Sequence, residues 1–168
     1  MRRFTLIQDI ACDVDEHWRL FLDEDRQRKQ YLEDLHFPLY ELVDRKETDT
    51  EITRKIRVVP KLDVPAPVAK LLGQRFGYTE DQTFDKKNRV FRARSTPSVL
   101  GDRLSSETKV SVEPAGPGRC RRICELTVDA RIFGVGGLVE GAFEKNLRAG
   151  WDQSAAYMNA QLRAARSS

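Results

Sequence analysis

From its second residue the chain alternates, with Phe4, Leu6, Gln8 and Ile10 in one phase and Thr5, Ile7 and Asp9 in the other. That two-residue period predicts a strand. The run ends at Asp13-Val-Asp-Glu16, an N-cap residue followed three places on by an acid. Val14, Trp18, Phe21 and Leu22 then recur at helical spacing, and Asp23-Glu24-Asp25 can cap a second short helix bearing Tyr31, Leu32 and Leu35. From Phe37 to Lys46 the period returns to two, placing Tyr40, Leu42 and Asp44 on one strand face, and the next strand puts Ile52, Arg54, Ile56 and Val58 on one face. Pro60, Pro65 and Pro67 stop that pairing, because proline cannot donate to a ladder. Val68-Ala-Lys-Leu-Leu72 reads as one or two helical turns opened by Pro67 and closed by Gly73.

Further strands are predicted over Phe76–Phe84, Arg89–Ser95, Arg103–Glu113 and Arg119–Ile132, separated by Asp85-Lys-Lys-Asn88 and Pro114-Ala-Gly-Pro-Gly118. This is an antiparallel meander. In its last strand Cys124, Leu126, Val128, Ala130 and Ile132 are expected to face the core, with Arg121, Glu125, Thr127, Asp129 and Arg131 toward water. After Gly134 the apolar positions Val135, Leu138, Val139, Ala142, Phe143, Leu147, Trp151, Ala155, Met158 and Leu162 follow three-and-four spacing to the C-terminus. A helix of about 30 residues would be ~45 Å long, and the only large surface able to cover its apolar stripe is the concave face of the sheet. The fold class is therefore α+β: a curved antiparallel sheet of about seven strands gripping a long C-terminal helix, with two short helices after the first strand, as one domain over residues 1–168.

Composition narrows the partners. The 168 residues are 40% hydrophobic and 33% charged, those of an ordinary globular domain. Lys plus Arg number 29 against 26 Asp plus Glu, interleaved without a basic block, so no nucleic-acid partner is expected. No apolar run approaches the ~20 residues of a membrane span, which leaves at most transient membrane contact. Arg2-Arg3 before Phe4-Thr-Leu-Ile7 imitates an export signal, but Gln8 and Asp9 cut the apolar stretch short. Cys12, Cys120 and Cys124 are odd in number and lack a CxxC pair, and Cys120 and Cys124 on one strand would lie about 13 Å apart at ~3.3 Å per residue. Reduced thiols and a cytoplasmic setting are the simplest expectation, with no metal and no cofactor.

The opening Phe4-Thr-Leu-Ile-Gln-Asp-Ile-Ala-Cys-Asp-Val-Asp-Glu-His-Trp18, followed by Leu20-Phe-Leu-Asp23, resembles the start of START-like (SRPBCC, pollen-allergen-like helix-grip) domains, in which a strand enters an acidic turn and then a tryptophan-bearing short helix. The order of elements is similar over nearly the whole chain. The resemblance implies a superfamily of hydrophobic-ligand carriers, polyketide cyclases and chaperone-associated domains, here a bacterial branch. It carries no shared catalytic motif, so fold analogy alone does not choose among these roles.

Candidate chemistry is sparse. Gly134-Val-Gly136-Gly137-Leu-Val-Glu-Gly141 follows a strand and opens a helix, yet the third glycine of GxGxxG falls on Val139 and no lysine follows Gly141, where Ala142 stands. These glycines are read as letting the helix start approach the sheet, with Gly137 and Gly141 on one helix face. His17 and His36 have no partner at ligand or triad spacing and are read as surface or half-buried residues. Arg92 and Arg94 share a strand face. They pair with acids such as Asp81 or Glu107, or Arg92 anchors a ligand carboxylate or phosphate at the pocket mouth. Ser106 and Thr108 alternate with Leu104, Val110 and Val112 and supply small hydroxyls to an otherwise apolar wall.

The expected cavity lining is Ile56, Val58, Tyr78, Ser106, Thr108, Leu126, Val128, Val139, Phe143, Leu147 and Trp151; Trp151, like Tyr157, also reads as plain core. Leu71 and Leu72, in the proline-stiffened segment from Lys61 to Gly73, are the candidate lid. The functional expectation is binding, transport or sensing of a hydrophobic small molecule or lipid, with no catalytic residues assigned. The alternatives are a cyclase or aromatase using Asp81, Ser106, Thr108 and Arg92 in the same pocket, and a protein-interaction module, which would expose a large apolar patch instead.

Overall fold

A computed structural model describes residues 1–168. Strand β1 (Arg2–Ile10) leads into helix α1 (Val14–Leu22) and helix α2 (Glu24–Lys29). Strands β2 (Leu39–Glu47) and β3 (Glu51–Val59) follow, then helix α3 (Ala66–Leu72). The meander continues through β4 (Tyr78–Asp85), β5 (Val90–Pro97), β6 (Leu104–Pro114) and β7 (Cys120–Ala130), and the chain ends in α4 (Gly136–Ser167). The seven strands form one antiparallel sheet in the order β1-β7-β6-β5-β4-β3-β2. The first strand thus closes beside the last, with Phe4 opposite Leu126 and Leu6 opposite Cys124. The helix-grip architecture expected from the hydrophobic pattern is present, element for element.

Local chemistry places the elements. Asp13 caps α1, its carboxylate accepting from the Glu16 N–H at 2.9 Å, and Asp23 caps α2 by accepting from the Arg26 N–H at 2.8 Å. The second helix does not run on regularly to Leu35: after Lys29 it widens into a π-helical turn, Gln30–Asp34, and His36 then takes a left-handed φ of 55°. At the start of α4 the close approach falls on Gly136, where a Cβ would stand 2.4 Å from the Ala130 carbonyl oxygen. Gly137 has open space, and Gly141 lies beneath the Arg2 guanidinium. The packing role read for the glycine run therefore belongs to Gly136.

The helix does not cover the concave face evenly. Helix α4 packs against β1 and β7, where Phe4, Leu6, Leu126, Val128, Val139, Met158 and Leu162 close a continuous core. A second, smaller core of Tyr40, Ile56 and Val58 sits at the other end of the sheet under Tyr31, Leu32 and Phe37. Between these two ends the middle strands curve away from α4. On β2 only Tyr40 is buried; Leu42 and Asp44 are exposed, because a bulge between Leu42 and Asp44 breaks the pleat and nothing covers the strand beyond it.

Candidate functional site

The gap between α4 and β4–β6 is a cavity of about 420 Å³. Its floor is the inward phase of three neighbouring strands: Tyr78, Glu80 and Gln82 on β4, Phe91, Ala93 and Ser95 on β5, Leu104, Ser106 and Thr108 on β6. Phe143, Leu147 and Trp151 of α4 form the roof. Phe76 meets Phe143 edge to face with ring centroids 5.8 Å apart, and Phe21 of α1 closes the inner end beside Phe91 at 5.0 Å.

The mouth lies between two segments tied to α4. Asn146 straps down the connection after β3, its side chain accepting from the Asp63 N–H at 2.9 Å and donating to the Asp63 carbonyl at 2.8 Å. Lys145 adds an ion pair to the Asp63 carboxylate at 2.8 Å. On the other side the Gln153 amide donates to the Asp34 carbonyl at 2.8 Å, holding the π turn and its Tyr31 at the rim.

Glu80 is the one carboxyl on the cavity floor. Glu80 accepts from the Gln82 amide at 2.6 Å and from the Ser95 hydroxyl at 3.1 Å. Removal from water pushes its carboxyl above the usual carboxylate range, although those two hydrogen bonds and Arg54 act the other way. Arg54 donates to Glu24 at 2.8 Å and makes no hydrogen bond to Glu80. Burial likewise raises the Tyr31 and Tyr78 hydroxyls, which stay neutral, and pushes Tyr40 up to about 12.

Behind the roof lies a second polar group. Arg122 is fully buried on β7, donating to Gln8 Oε1 at 2.8 and 2.5 Å and to the Trp151 carbonyl at 3.2 Å, with its guanidinium 5.1 Å from the Trp151 ring centroid. No carboxylate touches it directly; Gln8 passes the interaction on by donating to Asp152 at 2.9 Å. The arginine fixes Trp151 from backbone and ring face together, and so positions one wall of the cavity. His17, expected at the surface or half-buried, is instead wholly enclosed between Trp18 and Phe21, with neither ring nitrogen hydrogen-bonded. Burial and the nearby Arg122 and Arg26 lower its pKa to about 3.

The structure sorts the expected lining residues into three groups. Tyr78, Ser106, Thr108, Phe143, Leu147 and Trp151 meet around the cavity. Ile56 and Val58 face inward but belong to the smaller core under Tyr31, while Leu126, Val128 and Val139 are sealed where α4 touches the sheet, so the void reaches none of them. Leu71 and Leu72 do not line the cavity either: Leu72 is buried in the main core with Val68, Leu71 packs against it, and the preceding Pro60–Asp63 stretch lines the mouth. Arg92 is exposed on the outer face opposite Lys109 and cannot reach the interior. Arg94 pairs with Glu107 at 3.7 Å, and Asp81, also exposed, pairs with Lys55 at 3.4 Å.

Glu80, Gln82 and Ser95, which face inward beside the expected Ser106 and Thr108, are not among the residues expected from the sequence, although each shares a strand phase with Tyr78, Phe84 or Phe91. Arg122 falls in phase with Cys120 and Cys124 and is equally visible there. Among groups of His, Cys, Asp and Glu, none has metal-binding geometry.

Solved structures share this arrangement at low identity. A Thermus thermophilus protein, TTHA0849, is 19% identical with a TM-score of 0.68 over 98% of this chain and 99% of its own. The ZhuI aromatase/cyclase of Streptomyces sp. R1128 is 14% identical with a TM-score of 0.68, covering 98% of this chain and 97% of that one. A START superfamily protein of Mycobacterium smegmatis is 12% identical with a TM-score of 0.61, covering 95% and 98%. No curated protein sequence matches the chain. The fold is that of the START-like, SRPBCC helix-grip proteins, and no helix is long and apolar enough to cross a membrane. A model of the family described as a protein of unknown function (DUF2505) matches residues 5–162, nearly the whole helix-grip unit, and the chain belongs to that family.

Proposed function

We propose that the protein binds a largely apolar small molecule in the cavity between α4 and β4–β6. The observation that carries this reading is the void itself. At about 420 Å³ it falls within the ~300–1,000 Å³ of small-molecule sites, and aromatic walls surround a few inward polar groups. A helix resting on the whole sheet would have filled this space with side chains, as it does over β1 and β7.

The test uses a neutral naphthalene probe followed by fluorescence. Wild-type protein is expected to bind one equivalent. Ser106→Phe, which places a ring in the void, abolishes binding while its melting temperature stays equal to or above that of the wild type. Unchanged binding by the filled variant would place the probe elsewhere and remove the proposal. Native mass spectrometry of protein from its own host then identifies any occupant that co-purifies.

A second reading, catalysis in the same cavity, is favoured by Glu80. A carboxyl whose pKa is raised by burial in a cleft suits general acid and base work, and a structural neighbour with this fold is an aromatase/cyclase. Turnover of a bound polyketide-like substrate that Glu80→Gln eliminates without loss of binding would establish it.

A further inference from the structure

We infer that the cavity is polarised for a ligand carrying an amine, its protonated nitrogen at Glu80 and its apolar body against Phe91 and Trp151; this rests on the small-molecule reading above. The charges around the cavity point this way. The lining acids are Asp34, Asp63 and Glu80, the one lining lysine is Lys61, the one histidine is His36, and no arginine lines it. Asp63 is already neutralised at the rim by Lys145 and Lys61 is exposed there, so Glu80 on the floor and the half-buried Asp34, whose Oδ2 has no hydrogen-bond partner, make the interior negative.

Glu80 is also incompletely used. Each of its oxygens accepts one hydrogen bond, from Gln82 and from Ser95, whereas a carboxylate offers about four acceptor positions. The unspent capacity belongs to a residue that forms part of the cavity wall. Arg54, the cation that acts on Glu80 through space, donates to Glu24 and not to Glu80. A ligand ammonium would supply a counter-charge that favours the ionised form of the carboxyl, against the desolvation that raises its pKa. The rings of Tyr31, Phe37 and Tyr78 line the cavity and pack on the small core of Ile56 and Val58, where Ile56 stands opposite Glu80 in the sheet, and aromatic faces attract cations in desolvated sites. A fatty acid or other carboxylate would instead bring negative charge beside a carboxyl that burial already makes hard to ionise, with no counter-charge for either.

Three probes with one naphthalene body separate the possibilities by calorimetry at pH 7: 1-naphthylmethylamine, 1-naphthylmethanol and 1-naphthoate. The amine is expected to bind at least tenfold tighter than the naphthoate, with the alcohol between. Glu80→Gln is expected to bring the amine down to the alcohol's affinity while the alcohol changes less than twofold. The preference is expected to survive 0.5 M NaCl, because an enclosed pair is screened far less than rim charges.

Naphthoate binding as tightly as the amine overturns the inference from wild-type protein alone, whatever the variant's folding. An amine preference that persists in Glu80→Gln, or that salt abolishes, overturns the assignment to Glu80. If the alcohol binds and the amine gains nothing, only this inference falls; if none of the three binds, the small-molecule reading falls with it.

Discussion

His17 and Glu80 are both desolvated, and each ties stability to pH in its own window. Unfolded, His17 takes up a proton near 6.5; folded, it does so only near 3. Between those values the unfolded chain binds more protons, so stability falls as pH drops from 6.5 toward 3, by about 1.4 kcal/mol for each unit separating the two pKa values. Replacing His17 with Phe, which keeps a ring between Trp18 and Phe21, should flatten this acid limb in urea titrations run at successive pH values. Glu80 is raised rather than lowered. Its contribution is present below the ordinary glutamate value and is lost as pH rises through the folded pKa. Glu80→Gln should therefore melt above wild type at pH 7 and alongside it below pH 4.5, the ordinary value for Glu; a variant equally or less stable at neutral pH would contradict the desolvation account. The inward polar residues share a phase with apolar neighbours and stand one position from residues the sequence reading did place: Glu80 beside the candidate Asp81, Arg122 beside Arg121, which faces water as expected. Alternation draws attention to its apolar members, and a polar residue in the same phase passes for surface until the sheet's curvature is known.

At the scale of elements, every strand and the long helix are readable from their periods, with ends within about two residues. What periodicity does not contain is how far α4 lies over the sheet. That α4 lies mainly against β1 and β7 depends on sheet curvature, and that is why Val128 and Val139 are core while Ser106 and Thr108 face a void. The same limit hides the true close approach at Gly136. Gly136→Ala should lower stability by ~1–3 kcal/mol, because the added methyl meets a backbone carbonyl that cannot move aside; Gly137→Ala, facing open space inside the helix, should be neutral or stabilising by up to ~1 kcal/mol. Leu72→Ala should cost ~2–5 kcal/mol as a buried leucine, without changing ligand release. Asn146→Ala, which frees the strap over the mouth, should speed release in stopped-flow displacement with a far smaller loss of stability.

For the molecule as a whole, a ligand present at 100 times its dissociation constant would add about 2.7 kcal/mol to stability. Thermal shift across a small-molecule panel is thus a direct screen for the occupant. The sheet that makes the cavity also leaves β2 as a long free edge, nine residues with only Tyr40 buried. Such an edge is a template for a strand from another chain. Here Glu41, Asp44, Arg45, Lys46 and Glu47 crowd it with charge of both signs, and the bulge at Val43 twists it out of a flat register. Concentrated protein should stay free of fibrils at neutral pH. Changing Arg45 and Lys46 to Val would leave the cavity lining untouched, yet should give thioflavin-positive assemblies within days of agitation, as expected if the charges along this edge keep one copy of the sheet from growing onto the next.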